Sequence, residues 1–336
     1  MKRCFIIAEA GVNHNGDLKR AVQLVDLAKE SGADAVKFQT FKAEELVSSQ
    51  APKADYQKKN TARNESQLEM IRKLELPFKD FRRLSATCRK VGIHFMSTPF
   101  DHSSIDFLSE IEMPFFKIPS SEITNFPYLD RIARAGKPLI LSTGMSTLKE
   151  VQEAVSVLTR AGNKEVILLH CTSSYPADPR DANLRAMQTL KEVLGLPVGY
   201  SDHTPGIEVS LAAVALGACV IEKHFTLDRN LPGPDHKASL SPDELHALVR
   251  GIRIVESAIG SGEKEPAESE KKIAAIARKS LVAARDILPN TVLTHEMIAI
   301  KRPGTGISPA KLQIFIGKRS RVAIAADTPL LPEMFQ

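Results

Sequence analysis

Over the first 250 or so residues, short runs rich in apolar and β-branched residues alternate with longer stretches whose apolar positions recur three and four apart. The short runs are CFIIAEA, AVKFQTF, IHFMSTP, FFKIPSS, PLILSTG, VILLHCT, PVGYSDH and CVIEKHF, and they read as parallel strands buried between helices. Between them, stretches such as LKRAVQLVDLAKESG and TLKEVQEAVSVLTRAG carry helical spacing and end at a glycine, the residue best suited to a left-handed helix terminus. Eight strand–helix repeats predict an α/β chain folded as a TIM (β/α)8 barrel.

Two departures from this rhythm divide the chain further. Residues 42–76 are too long for an ordinary barrel connection and too charged for core, as expected of a lid over the mouth. After SPDELHALVRGIRIVESAIGSG the composition shifts to EKEPAESEKK, which reads as a linker. The runs SLVAARDI, MIAIKRP and RVAIAAD, punctuated by PN, PGTG and SP, then predict a small β-rich domain. The expected layout is a barrel over residues 1–262, a linker over 263–277 and a C-terminal domain over 278–336. So small a domain buries little by itself and is expected to dock against another surface.

Composition narrows the function class. With 43% hydrophobic and 25% charged residues the chain has the balance of a soluble protein, and no run approaches the ~20 apolar residues of a membrane span. The opening MKRCFIIAEAGVNHNGD breaks its apolar run at Glu9 and offers no small-residue cleavage site, so it reads as a first buried strand, not a signal peptide. Cys4, Cys88, Cys171 and Cys219 lie far apart, three of them in strand-like runs, which favours reduced thiols and a cytoplasmic protein. The net charge of +5 is spread without blocks or aromatic interleaving, which argues against nucleic acid and suits small anionic ligands.

In such a barrel the chemistry sits where strands end. Here the strand ends supply Glu9, Lys37, Gln39, Thr98, Lys117, Ser120, Glu122, Ser142, Tyr175, Ser201, His203, Glu222 and His224, among others. Placed on adjacent strands, His203 and His224 form half of a divalent-metal site left open for substrate, or else a pair hydrogen-bonded within the mouth. Lys37 and Lys117 stand at strand positions where a charge is costly without a partner. Together with the recurring Ser and Thr residues they suit a single phosphate. Glu9, Glu122 and Asp235 are candidates for proton transfer or for holding sugar hydroxyls, and each is equally suited to orienting a lysine.

Taken together, AEAGVNHNG, VKFQTFKAEELVS, STPFD, FKIPSSEITN, LSTGM, LLHCTSSYP, GYSDHT, EKHFTLD, GPDHKASL and KRPGTGISP resemble, in order and over essentially the whole chain, the sialic acid synthase family. Its bacterial members make N-acetylneuraminate, legionaminate or pseudaminate. The resemblance implies condensation of phosphoenolpyruvate with an open-chain N-acetylmannosamine-type sugar, giving a nonulosonic acid and phosphate by C–O cleavage. N-acetylneuraminate synthesis is the leading expectation, and a legionaminate or pseudaminate synthase using a diacetamido-trideoxyhexose is the alternative. By the same resemblance His203 and His224 hold a metal, Mn2+ before Mg2+ or Co2+, and Glu9 lies at the reacting centre. Lys37, Thr98, Lys117, Ser120, Ser142, Ser173 and Ser201 match phosphoenolpyruvate-binding positions, and Gln39, Glu122, Tyr175 and Asp235 match sugar-binding ones. The family is a domain-swapped homodimer whose C-terminal domain, similar to type III antifreeze (SAF) proteins, caps the barrel of the other chain. Arg302 matches the arginine that reaches across to the sugar.

Two positions depart from the family pattern. Ser121 replaces a usual glycine, which shifts Ser120 and Glu122 if positive φ is needed there. Asn290 replaces another, a swap that left-handed geometry tolerates. Two other readings stay open: an aldolase or metal-dependent hydrolase on the same barrel, and ice or carbohydrate binding through the C-terminal domain.

Overall fold

The eight sequence-predicted strands form at Phe5–Gly11 (β1), Ala35–Thr40 (β2), His94–Pro99 (β3), Phe116–Ile118 (β4), Leu139–Ser142 (β5), Val166–Cys171 (β6), Val198–Asp202 (β7) and Val220–His224 (β8). The computed structural model describes residues 3–61 and 65–336 and divides between Gly260 and Ser261 into two units. The strands of the first unit pair in parallel in the order β3, β2, β1, β8, β7, β6, β5, β4. The two edges, β3 and β4, lie side by side without a hydrogen-bonded ladder. The result is a nearly closed TIM-like barrel.

Helix α1 (Leu18–Glu30) follows β1; α2 (Ala43–Leu46), α3 (Asp55–Asn60), α4 (Gln67–Leu74) and α5 (Phe78–Val91) follow β2; and α6 (His102–Ser109) follows β3. The remaining barrel helices are α7 (Phe126–Arg134), α8 (Leu148–Arg160), α9 (Arg185–Leu194), α10 (Glu208–Ala215) and α11 (Pro242–Ile259), one after each of β4 to β8. Their ends obey local rules. At the start of α8 the Glu150 amide donates to Thr147 Oγ1 at 3.3 Å while the Thr147 amide donates to Glu150 Oε2 at 2.7 Å, a reciprocal cap legible in the sequence. Helices α5 and α9 stop at left-handed Gly92 and Gly195.

Alternation of side chains along each strand separates structure from chemistry. Outward-facing residues such as Phe38, Phe116, Leu168 and Ile221 pack under the helices. Inward-facing Ile7, Ala35, Met96, Ile140, Leu169 and Val220 form a separate buried plug, each worth about 1–3 kcal/mol of burial for its larger side chains. Two residues farther along each strand, the inward positions become Glu9, Lys37, Thr98, Ser142, Cys171 and Glu222. The interior therefore changes from apolar to polar within one side-chain layer.

The 42–76 stretch carries α2 to α4, with residues 62–64 outside the described ones. It is anchored by its own apolar cluster, in which buried Val12, Phe41 and Leu74 meet Leu46, Ile71 and Phe100.

The second unit holds one antiparallel pair, β9 (Ser280–Ala283) with β10 (Ile298–Lys301), above a small core that includes Leu281, Ile287, Leu293, Phe315 and Leu330. The short helix α13 (Leu312–Phe315) follows. The RVAIAAD run forms no strand: Ile324 meets Ile287 through an isolated bridge. Within the expected linker, Glu268–Ala277 forms a helix (α12) with no buried residue. Alanine, glutamate and lysine favour helix whether or not they bury anything, and the carbonyl of Ala275 takes a hydrogen bond from Gly304 at 2.8 Å. Asn290 adopts φ 66, and Ser121 lies in a right-handed 3-10 turn over Ser120–Glu122 with no positive φ. Among the described residues no helix is long and apolar enough to cross a membrane.

Candidate active site

At the polar end of the barrel the strand register brings Glu9 beside Lys37 on one side and His224 on the other, and Ser201 beside Glu222. Four charged groups meet there, all buried. Lys37 Nζ lies 2.7 Å from Glu9 Oε2 and 3.6 Å from Glu222 Oε2, and donates to Thr98 Oγ1 at 2.9 Å. Lys117 Nζ lies 3.5 Å from Glu222 Oε1 and donates to Ser142 Oγ at 2.8 Å. Ser201 Oγ donates to Glu222 Oε1 at 3.0 Å. Two ammonium groups are thus held out of water by two carboxylates and two hydroxyls, with Ser201 bracing Glu222, which meets the requirement that a buried charge be paired.

The two carboxylates differ in character. Burial pushes Glu9 up to about 7, because Lys37 only partly offsets the loss of water. Burial pushes Glu222 up as well, but Lys117 and Lys37 together outweigh it and hold the carboxyl at about 2. For Lys37 burial works against the charge, yet Glu222 and Glu9 raise it above its ordinary value. A raised Lys37 and a raised Glu9 are compatible, since Lys37 keeps its proton through the second carboxylate. Lys117, with Glu222 as its one close carboxylate, is lowered by burial.

A wall of small hydroxyls adjoins this cluster. The Gly144 amide donates to Ser120 Oγ at 2.9 Å, and Ser120 Oγ lies 3.2 Å from Cys171 Sγ. A Cβ on Gly144 would stand 2.3 Å from Ser173 Oγ, 2.7 Å from Cys171 Sγ and 2.9 Å from Ser120 Oγ, so only glycine lets these groups close up. Gly11, at φ +53, plays the same part between Glu9, His224 and Gln39.

Opposite lie the histidines, ring centroids 5.6 Å apart, with the Tyr175 ring 4.3 Å from His203 and 5.7 Å from His224. His203 Nδ1 donates to the Thr172 carbonyl at 2.8 Å, which leaves its Nε2 lone pair free. His224 Nδ1 is buried with no hydrogen-bond partner among the described residues. Burial lowers both imidazoles, His224 well below the usual range. Two neutral imidazoles, one oriented through its far nitrogen and one with an orphaned nitrogen, fit an open divalent-metal site. Among the described residues no group of three His, Cys, Asp or Glu converges as a closed one would need.

A cavity of about 470 Å³ gathers Glu9, Lys37, Gln39, Thr98, Lys117, Ser120, Ser142, Ser173, Tyr175, Ser201, His203 and His224. Glu122 and Asp235 are not among its lining residues. Glu122 accepts from Asn125 Nδ2 at 2.6 Å, and Asp235, buried in the loop after β8, is pushed up to about 6 by burial. Arg302 is exposed in the second unit, just past β10. Asp202 and Lys223, also at strand ends, face away from the cavity: Lys223 Nζ donates to Asp202 Oδ2 at 2.7 Å, and Ser210 of α10 joins them. Sequence reasoning gave Glu222 no role in the site, although its place two residues before His224 puts both on one strand face. It also missed Gln57 and Gln67, which reach the cavity from the insertion and carry no sequence signal.

Residues 24–264 match the model of the NeuB family and residues 278–336 that of the SAF domain. The chain is 54% identical over 320 residues to N,N'-diacetyllegionaminic acid synthase of Campylobacter jejuni, covering 95% of this chain and 96% of that protein. It is 52% identical over 334 residues to the protein of the same name from Legionella pneumophila, covering 98% and 94%. The crystal structure of N-acetylneuraminic acid (sialic acid) synthetase from Leptospira borgpetersenii in complex with citrate aligns at 39% identity and TM-score 0.71, over 81% of this chain and 90% of that one. With the barrel, the SAF match and relatives this similar along nearly its full length, the chain belongs to the NeuB family.

Proposed function

We propose that the protein condenses phosphoenolpyruvate with an open-chain acetamido-sugar aldehyde to give a nonulosonic acid and phosphate, and that its acceptor is a 2,4-diacetamido-trideoxyhexose. The observation that carries the chemistry is the convergence of Lys37, Lys117 and the hydroxyl wall beside two neutral histidines in one buried cavity. The acceptor assignment draws on the two N,N'-diacetyllegionaminic acid synthases at 54% and 52% identity, against 39% for the sialic acid synthetase. N-acetylneuraminate synthesis, the leading expectation from sequence, uses the same cavity floor and ranks behind on those identities.

In this reading Lys37, Lys117, Thr98, Ser120, Ser142, Ser173 and Ser201 hold the anionic groups of phosphoenolpyruvate, a dense donor set suited to phosphate. Gln39 and Tyr175 face the acceptor, joined by an Arg302 supplied by the second chain of a domain-swapped homodimer. His203 and His224 would hold a divalent ion, manganese before magnesium or cobalt, whose Lewis acidity favours the aldehyde as electrophile. Carbon 3 of phosphoenolpyruvate bonds to the aldehyde carbon, the aldehyde oxygen gains a proton, water adds at carbon 2, and phosphate leaves with its bridging oxygen. Glu9, at about 7, is poised to hold or release a proton at neutral pH. The test is phosphate release from phosphoenolpyruvate with each acceptor, with and without Mn2+. Release that needs both sugar and metal supports the reading; none with either sugar removes it.

A further inference from the structure

A second cavity, of about 300 Å³, opens beside the first and shares Gln39, Gln67, Phe100 and Ser121 with it. Its remaining wall comes mostly from the insertion, including Val47 and Ile71, with Phe41 at the end of β2. The wall is built rather than incidental. Phe41 and Phe100 meet edge to face at 6.5 Å and pack with buried Val12 and Leu74. Gln67, at the first turn of α4, engages its carboxamide in no hydrogen bond among the described residues. None of these residues belongs to the phosphate-holding set, whereas Gln39 is common to both cavities and is the position matched to the sugar.

We propose that this side cavity is the subsite for the second acetamido group of the acceptor, so that the α2 to α4 insertion, and not the barrel, selects the sugar. The inference rests on the synthase reading above. An acetamido group needs an apolar wall for its methyl, a donor for its carbonyl and an acceptor for its N–H. The aromatic and aliphatic side chains give the first, the Gln67 carboxamide offers both of the others, and the Ser121 hydroxyl, which donates to Glu122 Oε1 at 3.4 Å, offers an acceptor. A hydroxyl at the same sugar carbon would leave the apolar wall against water and Gln67 with less to bind. One methyl in an apolar pocket is worth roughly 10–200-fold in discrimination.

The experiment compares kcat/KM for a 2,4-diacetamido-trideoxyhexose and for N-acetylmannosamine in the full-length protein with Mn2+, for wild type, Val47→Phe and Gln67→Ala. Val47→Phe fills the side cavity, and Gln67→Ala removes its amide. Wild type is expected to prefer the diacetamido sugar, and each variant to lose about tenfold of that preference, with the KM for phosphoenolpyruvate within about twofold of wild type. A preference unchanged in both variants, or a loss shared equally by both sugars, overturns the inference while the synthase reading stands. A wild-type preference for N-acetylmannosamine overturns the acceptor assignment and this inference together. Absence of phosphate release with either sugar overturns the synthase reading itself.

Discussion

Glu222 stands between two lysines of the barrel mouth, its Oε1 3.5 Å from Lys117 Nζ and its Oε2 3.6 Å from Lys37 Nζ. It is the only carboxylate in the described cavity close to both, and it ties β8 electrostatically to β2 and β4 across the barrel. At 3.6 Å from Lys37 its Oε2 acts mainly by charge attraction. Without substrate anions Glu222 is what keeps Lys117 from being an unpaired buried cation.

Removing that charge should therefore cost stability before it costs chemistry. Glu222→Gln keeps the shape and leaves Lys117 with only the uncharged Ser142 hydroxyl and Ile118 carbonyl, and loss of one partner of a buried pair costs about 3–5 kcal/mol. Urea denaturation should show a loss of that order, partly recovered when phosphoenolpyruvate supplies anions to the lysines. Equal stability of the two proteins without ligand would refute the bridging role.

The histidine pair makes a separable prediction. His203→Ala or His224→Ala should lower Mn2+-dependent phosphate release by at least about 100-fold, while circular dichroism still reports the folded barrel, because each alanine removes a ligand. Full activity of either variant in manganese would end the metal assignment.

Asp235 gives a pH signature. Burial raises its folded value from 3.8 to about 6, so the folded state binds the proton more tightly than the unfolded chain. The Asp235 contribution to stability is then largest in acid and is lost as pH climbs through that window, by about 3 kcal/mol at roughly 1.4 kcal/mol per unit. Asp235→Asn should remove this contribution from the slope. Denaturation midpoints of the two proteins at pH 4 and pH 7 provide the check, and parallel curves would show that Asp235 stays ionised in the fold.

The proposed swapped homodimer is testable by complementation. Arg302→Ala should raise the acceptor KM about tenfold or more and the phosphoenolpyruvate KM much less. At subsaturating sugar, an equal mixture with His203→Ala, refolded together, should recover about a quarter of wild-type activity, since half the dimers are mixed and each carries one intact site. No recovery, with mixed dimers confirmed by mass, argues that Arg302 does not act across chains.

Much of this was present in the order of residues. The eight apolar runs could be read as strands because burial on both faces demands a nearly continuous apolar text, and the lysines, hydroxyls and histidines at their ends could be read as a mouth because period two turns them inward together. The chain's own motifs also carried the family and the C-terminal domain. Where the text was silent, the cause was physical: the 263–277 stretch reads as a linker from its charge and few large apolar residues, and within it α12 forms because its residues favour helix for local reasons.

What only the tertiary structure decided is which inward groups touch. Glu9 and Glu222 are both glutamates at strand ends, and nothing in their flanking residues tells them apart. The fold gives Glu222 two ammonium neighbours and Glu9 one close one, and so sends one carboxyl down to about 2 and the other up to about 7. The side cavity belongs to the same category, since Gln67 and Val47 meet Gln39 and Phe100 only because a cluster around Phe41 fixes the insertion against the barrel. Sequence periodicity specifies which face a side chain takes; distance and dielectric, which set its chemistry, exist only once strands remote in the chain are brought side by side.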